Sequence, residues 1–464
     1  GIGEGFEEPV FQGANTDGTV VFFTDSQRLT PDASPSGSDL YRCAIPQGAS
    51  AAGCSTLTNL SGATGGSAES AEVQGLALAL SEEGNRIYFV AKGVLDIDPN
   101  KLGDTAASGS PNLYLWEQGA GTRFIGTLSV GDRSDWGMPG SVSAPGLAQS
   151  LSAVSSPSGR YLAFMSQRSL TGYDNRDTTG DERVQEVFRY DAIADRLDCV
   201  SCNPSGARPA GQIPGRALVD PLSVWQEQQV VTAATLPEAF SVYKNGITIY
   251  RPRAIFDSGR VFFNVIDALV PADSNGEWDV YQHEPTGVGD CTAASGGAST
   301  SRVAGGCVSL MSSGTAEEEA GFLDASATGD DVFFLTAARL SVLDGDEELD
   351  VYDARVNGVP ATLAPQTECL GEACQAAAQA PNDPTPASQA FKGPGNVVVH
   401  DCRAISRRAM RLSRRAKVLR RRIAAAGPKG FEQMRHEAKR LSQKAHVLRA
   451  RAKSCRRTYR RAAS

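Results

Sequence analysis

Short runs of alternating hydrophobic and polar residues recur along most of the chain before residue 355. Each copy of the pattern contains a polar turn, an apolar run of strand length, an acidic loop and a second run that ends with Val or Leu beside Tyr or Phe. Alternation with period two, bounded by Gly and Asp, predicts β-strands. The five copies occupy residues 16–43, 82–116, 157–190, 257–283 and 328–354. The pattern therefore predicts an all-β body.

The spacing of the copies predicts how the strands assemble. The units begin about 70 residues apart, except for a gap near 100 between the third and fourth. One hairpin cannot bury its own apolar face, whereas several units arranged radially can. We therefore predict a β-propeller of five to six blades over residues 1–374, with the possible sixth unit in the wide gap around "QQVVTAATL" and "GITIYRPRAIF". An array of β-sandwich modules would give a similar period and remains an alternative.

The C-terminal part of the chain has a different pattern. Residues 375–399 are rich in Ala, Pro and Gly and predict a linker, and residues 400–464 carry apolar positions spaced alternately by three and four. The spacing predicts two helices that fold back as an antiparallel hairpin, each with one apolar seam. The seam positions are Cys402, Ile405, Ala409, Leu412, Ala416, Leu419 and Ile423, paired in reverse order with Met434, Ala438, Leu441, Ala445, Leu448, Ala452 and Cys455.

Charge separates these two parts of the chain. The net charge is −8, but Asp401–Ser464 holds 22 Lys and Arg against 3 Asp and Glu, a net of +19, which leaves −27 for residues 1–400. With an apolar seam inside, the outward face of the hairpin is basic. The residues that we predict to mediate an interaction are Arg407, Arg408, Arg411, Arg414, Arg415, Arg420, Arg421, Arg422, Arg449, Arg456 and Arg457.

So dense a row of cations predicts an anionic partner, since it repels itself. The candidates are acidic protein surface, most simply another copy of this chain, and an anionic polymer of the cell envelope. A solvated helix with no partner is the alternative. Nucleic acid is disfavoured, because aromatic residues do not alternate with the cations apart from Tyr459.

The ten cysteines fall into close pairs and predict five disulfides: Cys43–Cys54, Cys199–Cys202, Cys291–Cys307, Cys369–Cys374 and Cys402–Cys455. Such pairing is typical of an oxidising, extracellular setting. Apolar runs are too short for a membrane span, which needs about 20 residues. We therefore expect a secreted or cell-surface protein. Because the sequence begins at Gly1 without a signal segment, we expect a trimmed or mature form.

Several of these motifs resemble one known family. The "VFF" strand after a turn, "LVPADSNGEWDVY", "CVSCNPSG" at 199–206, "GVGDCT" at 287–292 and "SATGDDVFFLTAARL" at 326–340 are similar to TolB-like (WD-type) propeller repeats of secreted actinobacterial proteins. The resemblance continues through "TPASQAFKGPGN" into the basic tail with two cysteines. It implies a propeller fold and an envelope or secreted location. It implies no biochemical activity.

Acidic loops between the paired strands raise the question of a metal. Asp273, Asn275 and Asp279 have the same spacing as Asp344, Asp346 and Asp350, with looser versions at residues 96–100 and 174–181. Clustered oxygen ligands predict a candidate Ca²⁺ site. The alternative, which we favour, is that Asp and Asn cap tight turns by accepting backbone N–H groups.

The sequence contains little that predicts catalysis. We expect Cys199-x-x-Cys202 to be a structural disulfide, because it leads into a turn and not into a helix. His283 occupies a strand position that we interpret as surface, and the other histidines lie in or beside the tail. Known nucleophile, zinc and phosphate motifs are absent from the sequence. We therefore predict a non-catalytic scaffold without a cofactor. A carboxylate-dependent hydrolase or lyase in the propeller channel and a calcium-dependent glycan or protein binder remain alternatives.

Overall fold

The computed structural model describes most of the body and part of the tail. The chain divides into two compact units, Gly1–Pro365 and Gln366–Ser464. The described residues are 9–46, 53–62, 70–136, 152–178, 180–214, 218–219, 229–237, 240–241, 249–303, 305–341, 344, 346, 348–355, 409–410, 412–414, 416–417, 420, 435, 438–446, 449 and 453. The linker predicted at 375–399 lies outside them.

The described part of the first unit is built from strands, as the alternating pattern predicts. It also contains one 3-10 helix, Val130–Trp136. The strands are β1 (Val10–Ala14), β2 (Val20–Asp25), β3 (Asp39–Ala44), β4 (Thr56–Asn59), β5 (Val73–Leu80), β6 (Arg86–Ala91), β7 (Asn112–Glu117), β8 (Gly121–Thr127), β9 (Val154–Ser155), β10 (Tyr161–Ser166), β11 (Glu186–Asp191), β12 (Arg196–Cys199), β13 (Ala234–Thr235), β14 (Phe240–Ser241), β15 (Ile249–Tyr250), β16 (Val261–Val265), β17 (Asp279–Pro285), β18 (Thr300–Val303), β19 (Gly306–Leu310), β20 (Ala320–Ala325), β21 (Asp331–Thr336) and β22 (Asp350–Arg355).

These strands form a series of antiparallel sheets in chain order. Within the described residues the sheets are β1-β2-β3-β4, β5-β6-β7-β8, β9-β10-β11-β12, β13-β16-β17-β19-β18 and β20-β21-β22. Each contains one of the five predicted units. The wide gap before the fourth unit contributes β13 and a two-stranded sheet of β14 and β15. A further four-stranded sheet is not present among the residues described there.

The hydrophobic core lies between consecutive sheets. Phe22 of the first sheet and Ile87 of the second share one cluster. Tyr88 and Leu162 connect the second sheet to the third in another. The largest cluster spans the last three sheets and includes Phe262, whose ring stacks on that of Phe322 with centroids 5.6 Å apart. Because both faces of the inner sheets are covered by neighbours, the arrangement is a propeller-like series of blades.

The turn before the second strand of each sheet of three or more strands repeats one backbone conformation. Gly18, Gly84, Gly159, Gly259 and Gly329 all have φ between 67° and 82°. This left-handed region strongly favours glycine. We call these five residues the turn glycines. The recurring Gly in the sequence repeat therefore has a backbone cause.

The turn glycines also join each unit to the next. Four side chains each donate a hydrogen bond to the carbonyl oxygen of the turn glycine in the following unit. The bonds run from Arg42 Nε to Gly84 at 3.4 Å, from the Tyr88 hydroxyl to Gly159 at 2.7 Å, from Arg189 Nη1 to Gly259 at 3.0 Å and from Arg260 Nη1 to Gly329 at 2.7 Å. A repeated polar contact thus fixes each blade against its neighbour.

Candidate functional site

The described residues of the tail have the burial pattern that the two predicted seams require. These residues are helical, in two stretches between positions 409 and 453. Five predicted seam residues, Ala409, Ala416, Ala438, Leu441 and Ala445, are between 1% and 7% exposed. Leu412, the sixth described seam residue, is partly exposed, so five of the six described seam positions are buried. The helical hairpin as a whole stays a prediction, because its turn and both ends lie outside the described residues.

Two hydrogen bonds connect the two helical stretches. Arg420 Nη2 donates to Ser442 Oγ at 2.6 Å, and Arg449 Nη2 donates to Ser413 Oγ at 2.6 Å. The later residue of the first stretch, Arg420, bonds to the earlier residue of the second, and Ser413 bonds to the later one. This is the order expected for antiparallel segments. Both guanidinium groups contact neutral hydroxyls, so these two bonds do not neutralise the charge of Arg420 or Arg449.

The exposed face of the described tail is strongly basic. Arg435 and Lys439 line a shallow depression together with Arg420, Ser442 and His446. The described charged residues of the tail are Arg414, Lys417, Arg420, Arg435, Lys439, Arg440, Lys444, Arg449 and Lys453, with no Asp or Glu among them. Of the arginines that we predict to interact, the structure thus describes Arg414, Arg420 and Arg449. The others lie outside the described residues: Arg407, Arg408, Arg411, Arg415, Arg421, Arg422, Arg456 and Arg457.

The first predicted calcium loop uses its oxygens within the protein. Asp279 Oδ1 accepts a 3.1 Å hydrogen bond from the Gly314 N–H and another from the Ser312 hydroxyl. Asp279 Oδ2 accepts from Asn275 Nδ2 at 2.7 Å, and Asp273 Oδ2 accepts from the Tyr281 hydroxyl at 2.6 Å. Burial raises the pKa of Asp273 to about 6. Asn275 also caps the loop as predicted, because its Oδ1 accepts a 3.0 Å hydrogen bond from the N–H of Glu277, whereas the aspartates bond mainly to side chains.

The second predicted calcium loop brings its carboxylates together. One oxygen from each of Asp344, Asp346 and Asp350 lies within 4.8 Å of the others. Asp344 Oδ2 accepts a 2.6 Å hydrogen bond from the hydroxyl of Tyr352, and this bond lowers the pKa of Asp344. The loop has the oxygen chemistry that Ca²⁺ prefers. Calcium binding at either loop stays a prediction.

The described cysteines are paired as the sequence predicts. Disulfides join Cys43 to Cys54, Cys199 to Cys202 and Cys291 to Cys307. The other two predicted pairs, Cys369–Cys374 and Cys402–Cys455, lie outside the described residues. Local disulfides of this kind stabilise loops between short strands.

His283 is not a surface residue, and that interpretation of the sequence is wrong. Its side chain is 0% exposed between the third and fourth sheets, and its two ring nitrogens have no hydrogen-bond partner among the described residues. Burial, followed by the charges of Arg189 and Arg196, lowers the pKa of His283 well below its usual value. The repeat did carry a signal for this burial, because the matching positions in other units hold Cys43, Trp116 and Tyr190, which are buried as well.

Two buried acids were also missed by the sequence analysis. Asp132 in the 3-10 helix accepts hydrogen bonds from the N–H groups of Ser129 and Gln167, both at 2.8 Å. Burial raises its pKa to about 6. Glu186 lies at the start of β11 and is 1% exposed. The third strand of other units also begins with Asp or Asn, as at Asp39 and Asn112, so the repeat carried a signal for Glu186.

Comparisons with known proteins leave the family open. No protein-family model matches the chain, and a search of curated proteins finds no match. Among solved structures, the chain is similar to the beta-propeller domain of the Trilobed protease from Pyrococcus furiosus, which has an open velcro topology. The identity is 9%, the match covers 76% of this chain and 99% of that chain, and the TM-score is 0.21. So weak a likeness carries no argument, and the resemblance to TolB-like repeats stays an expectation.

Hydropathy adds one further observation. Among the described residues, none of the helices is both long enough and apolar enough to cross a membrane.

Proposed function

We propose that this protein is a secreted or cell-surface β-propeller scaffold of five to six blades whose basic helical hairpin binds the acidic surface of another copy. The observation that carries the proposal is the exposed basic face of the described tail. The described cations that are exposed there, apart from Arg440, are Arg414, Lys417, Arg420, Arg435, Lys439, Arg449 and Lys453. Five sheets of three or more strands support the number of blades.

The acidic body supplies the opposite charge. Residues 1–400 have a net charge of −27 against +19 for Asp401–Ser464. Carboxylates such as Asp346 and Glu348 are exposed in the loop before β22. Attraction between exposed charges is screened over about 10 Å at 0.1 M salt, so the association depends on ionic strength. Charge complementarity of this kind accelerates association and orients the partners.

The test compares the full chain with two charge variants across a salt series. In one variant, Arg414, Lys417, Lys439 and Lys453 are changed to Gln, which leaves the bonds of Arg420 and Arg449 intact. The matched control changes four exposed cations of the body, Arg28, Lys101, Arg133 and Arg302, to Gln. Native mass spectrometry and sedimentation velocity at about 0.05 to 0.5 M salt report the association.

We expect the wild type and the body control to associate at low salt and to dissociate as salt rises. The tail variant should remain monomeric throughout. Association that is independent of salt, or that the tail variant retains, would contradict the proposal. The wild type could instead be monomeric and bind heparin, a soluble polyanion, in a salt-dependent way. In that case the partner of the tail is an anionic envelope polymer and not another copy.

The cluster of Asp344, Asp346 and Asp350 supports a second candidate function, calcium-dependent binding of a glycan or protein. Three carboxylate oxygens within 4.8 Å of one another repel each other when they are ionised. A divalent cation would relieve that repulsion. Weak Ca²⁺ sites of extracellular modules have dissociation constants of about 0.1 to 1 mM.

Calorimetric titration of the full chain with CaCl₂ tests this candidate. We expect a site that is lost in Asp346→Asn and kept in Glu348→Gln, which removes an exposed charge two residues away. Titration curves that are identical for the wild type and Asp346→Asn, or a melting temperature insensitive to chelator, would exclude it.

A further inference from the structure

A buried acid lies against one of the disulfides. Cys199 is the last residue of β12, Cys202 lies three positions later, and Glu186 begins the neighbouring strand β11. One carboxylate oxygen of Glu186 and the two sulfur atoms all lie within 4.8 Å of one another. Among the three described disulfides, this is the one whose two sulfurs share such a cluster with a carboxylate. The arrangement is therefore specific to the Cys-x-x-Cys loop.

The two sulfur atoms differ in their access to solvent. Cys199 is 8% exposed and packs in the core between the second and third sheets. Cys202 is partly exposed at the start of the following turn. An external thiolate can therefore reach the sulfur of Cys202 more readily than that of Cys199.

The surroundings of Glu186 favour its protonated form. The side chain is fully buried, and the hydroxyl of Ser201 donates a 2.5 Å hydrogen bond to its Oε2. The Ser201 oxygen in turn accepts a 2.8 Å bond from the N–H of Val187, which fixes the hydroxyl in place. Burial raises the pKa of Glu186 well above its usual value and outweighs the hydrogen bond from Ser201, which lowers the pKa, and the charge of Asp267 raises it further. Glu186 thus holds a proton at a pH where most carboxyl groups are ionised.

We propose that Cys199–Cys202 is a redox-active disulfide that accepts two electrons from a dithiol, with Glu186 as the proton donor to the buried sulfur. The proposal goes beyond the scaffold function, since it involves neither the tail nor the acidic loops. It also revises the expectation that this pair is only structural. A helix N-terminus would favour a thiolate at the loop. Here the protonated carboxyl group of Glu186 lies beside the leaving sulfur and stabilises it by donating a proton.

The exchange proceeds in two displacements. The thiolate of the dithiol attacks Cys202 Sγ, the bond between Cys202 and Cys199 breaks, and Cys199 leaves with the electron pair. The carboxyl group of Glu186 protonates Cys199, because a thiolate in an apolar site is destabilised. The second thiol of the reagent, after losing its proton to solvent, attacks the mixed disulfide and releases Cys202 as a thiolate, which takes a proton from solvent. The dithiol leaves as a cyclic disulfide, and Glu186 regains its proton from solvent.

The experiment measures how fast each disulfide is reduced in the folded full chain. The probe is dithiothreitol, the reaction is stopped with acid, and free thiols are labelled and located by peptide mass spectrometry. We expect Cys199–Cys202 to be reduced before Cys291–Cys307, both of whose cysteines are 1% exposed. In Glu186→Gln the rate for Cys199–Cys202 should fall about tenfold or more, since positioned proton donors typically contribute about 10² to 10⁴. Cys43–Cys54 and Cys291–Cys307 are internal controls whose rates should not change.

A second measurement does not depend on the folding of any variant. For the wild type, the rate of reduction of Cys199–Cys202, divided by the fraction of dithiothreitol that is thiolate, should fall as pH rises through the ionisation of Glu186. A constant quotient would overturn the proposal. So would a Cys199–Cys202 pair that is reduced no faster than the buried pair Cys291–Cys307. If Glu186→Gln accelerates all three disulfides, the variant unfolds, and the pH profile of the wild type decides.

Discussion

Nη1 of Arg189 donates a 3.0 Å hydrogen bond to the carbonyl oxygen of Gly259, which lies 70 positions later at the turn of the next sheet. The same guanidinium donates through Nη2 to Asp198 at 2.6 Å and lies over the ring of Tyr161. Arg189 is 1% exposed. One buried cation therefore ties together two strands of its own sheet and the first turn of the following sheet.

Replacing Arg189 with Met should destabilise the body strongly. The change leaves the Asp198 carboxylate and the Gly259 carbonyl without this donor, and loss of one partner of a buried ion pair costs about 3–5 kcal/mol. Urea denaturation measures the free energy of unfolding. Arg196→Met is the matched control, because Arg196 also contacts Asp198 but its side chain is 50% exposed. The control should cost about 1 kcal/mol or less, and equal losses in both variants would contradict the assignment.

Tyr281→Phe tests how much the Tyr281 hydroxyl, which bonds to Asp273 in the first acidic loop, contributes to folding stability. The Tyr281 hydroxyl donates to Asp273 and accepts a 3.2 Å hydrogen bond from the N–H of Leu269. Its loss leaves two buried groups unsatisfied, so we expect a cost of about 1–3 kcal/mol in urea denaturation.

Tyr352→Phe is the control for that variant. Tyr352 makes the same two bonds, to Asp344 and from Leu340, in a more exposed loop. Water can replace its hydroxyl there, and the cost should be smaller. A larger effect at Tyr352 than at Tyr281 would contradict burial as the cause.

Asp132→Asn should change the pH dependence of stability. The raised pKa of Asp132, about 6, means that the unfolded chain ionises before the folded one as pH rises from about 4. The wild type therefore loses stability between pH 4 and 6, by about 1.4 kcal/mol for each unit of pKa difference. Asp132→Asn lacks this contribution. The free energy of unfolding of the wild type should therefore exceed that of the variant by more at pH 4 than at pH 7. Urea denaturation at both pH values measures this difference in free energy of unfolding. An equal difference at pH 4 and pH 7 would refute the raised pKa of Asp132.

His283→Leu should reduce the loss of folding stability at acid pH. Because the folded pKa of His283 is depressed, the unfolded chain binds a proton first as pH falls below about 6.5. The free energy of unfolding of the wild type then decreases towards pH 5, whereas that of the variant decreases less. Near pH 8 the variant should be at least as stable, since it removes buried nitrogens that have no described partner.

The control for His283 is His446→Leu, on the exposed face of the tail. Guanidinium denaturation at pH 5 and pH 8 gives both stabilities. If His283→Leu and His446→Leu shift the pH dependence equally, burial at His283 is not the cause.

Local pattern was sufficient for much of the fold. Alternating runs predicted the strands around Phe22, Phe89 and Phe334, and all three are buried. The spacing of cysteines predicted the three described disulfides. The spacing of three and four predicted which tail positions are buried, as at Ala416 and Leu441. These features succeed because they depend on neighbours within one strand, turn or helix.

The sites were harder to predict, because their chemistry comes from residues far apart in the chain. Arg189 reaches Gly259 only where two sheets pack, and Glu186 lies near Cys202 only because β11 and β12 are paired. The two calcium loops show the same limit. They share one spacing, yet the carboxylates of the first bond within the protein and those of the second cluster at the surface.

The amino-acid sequence by itself determined the repeat, its strands and turns, the basic tail and the local pairing of cysteines. Each of these follows from backbone preference, apolar periodicity or proximity along the chain. Only the tertiary structure decided which polar groups lose contact with water and which partners they then meet. Burial sets the proton affinity of Asp132, Glu186 and His283, and burial is a property of packed sheets that no single stretch of sequence contains.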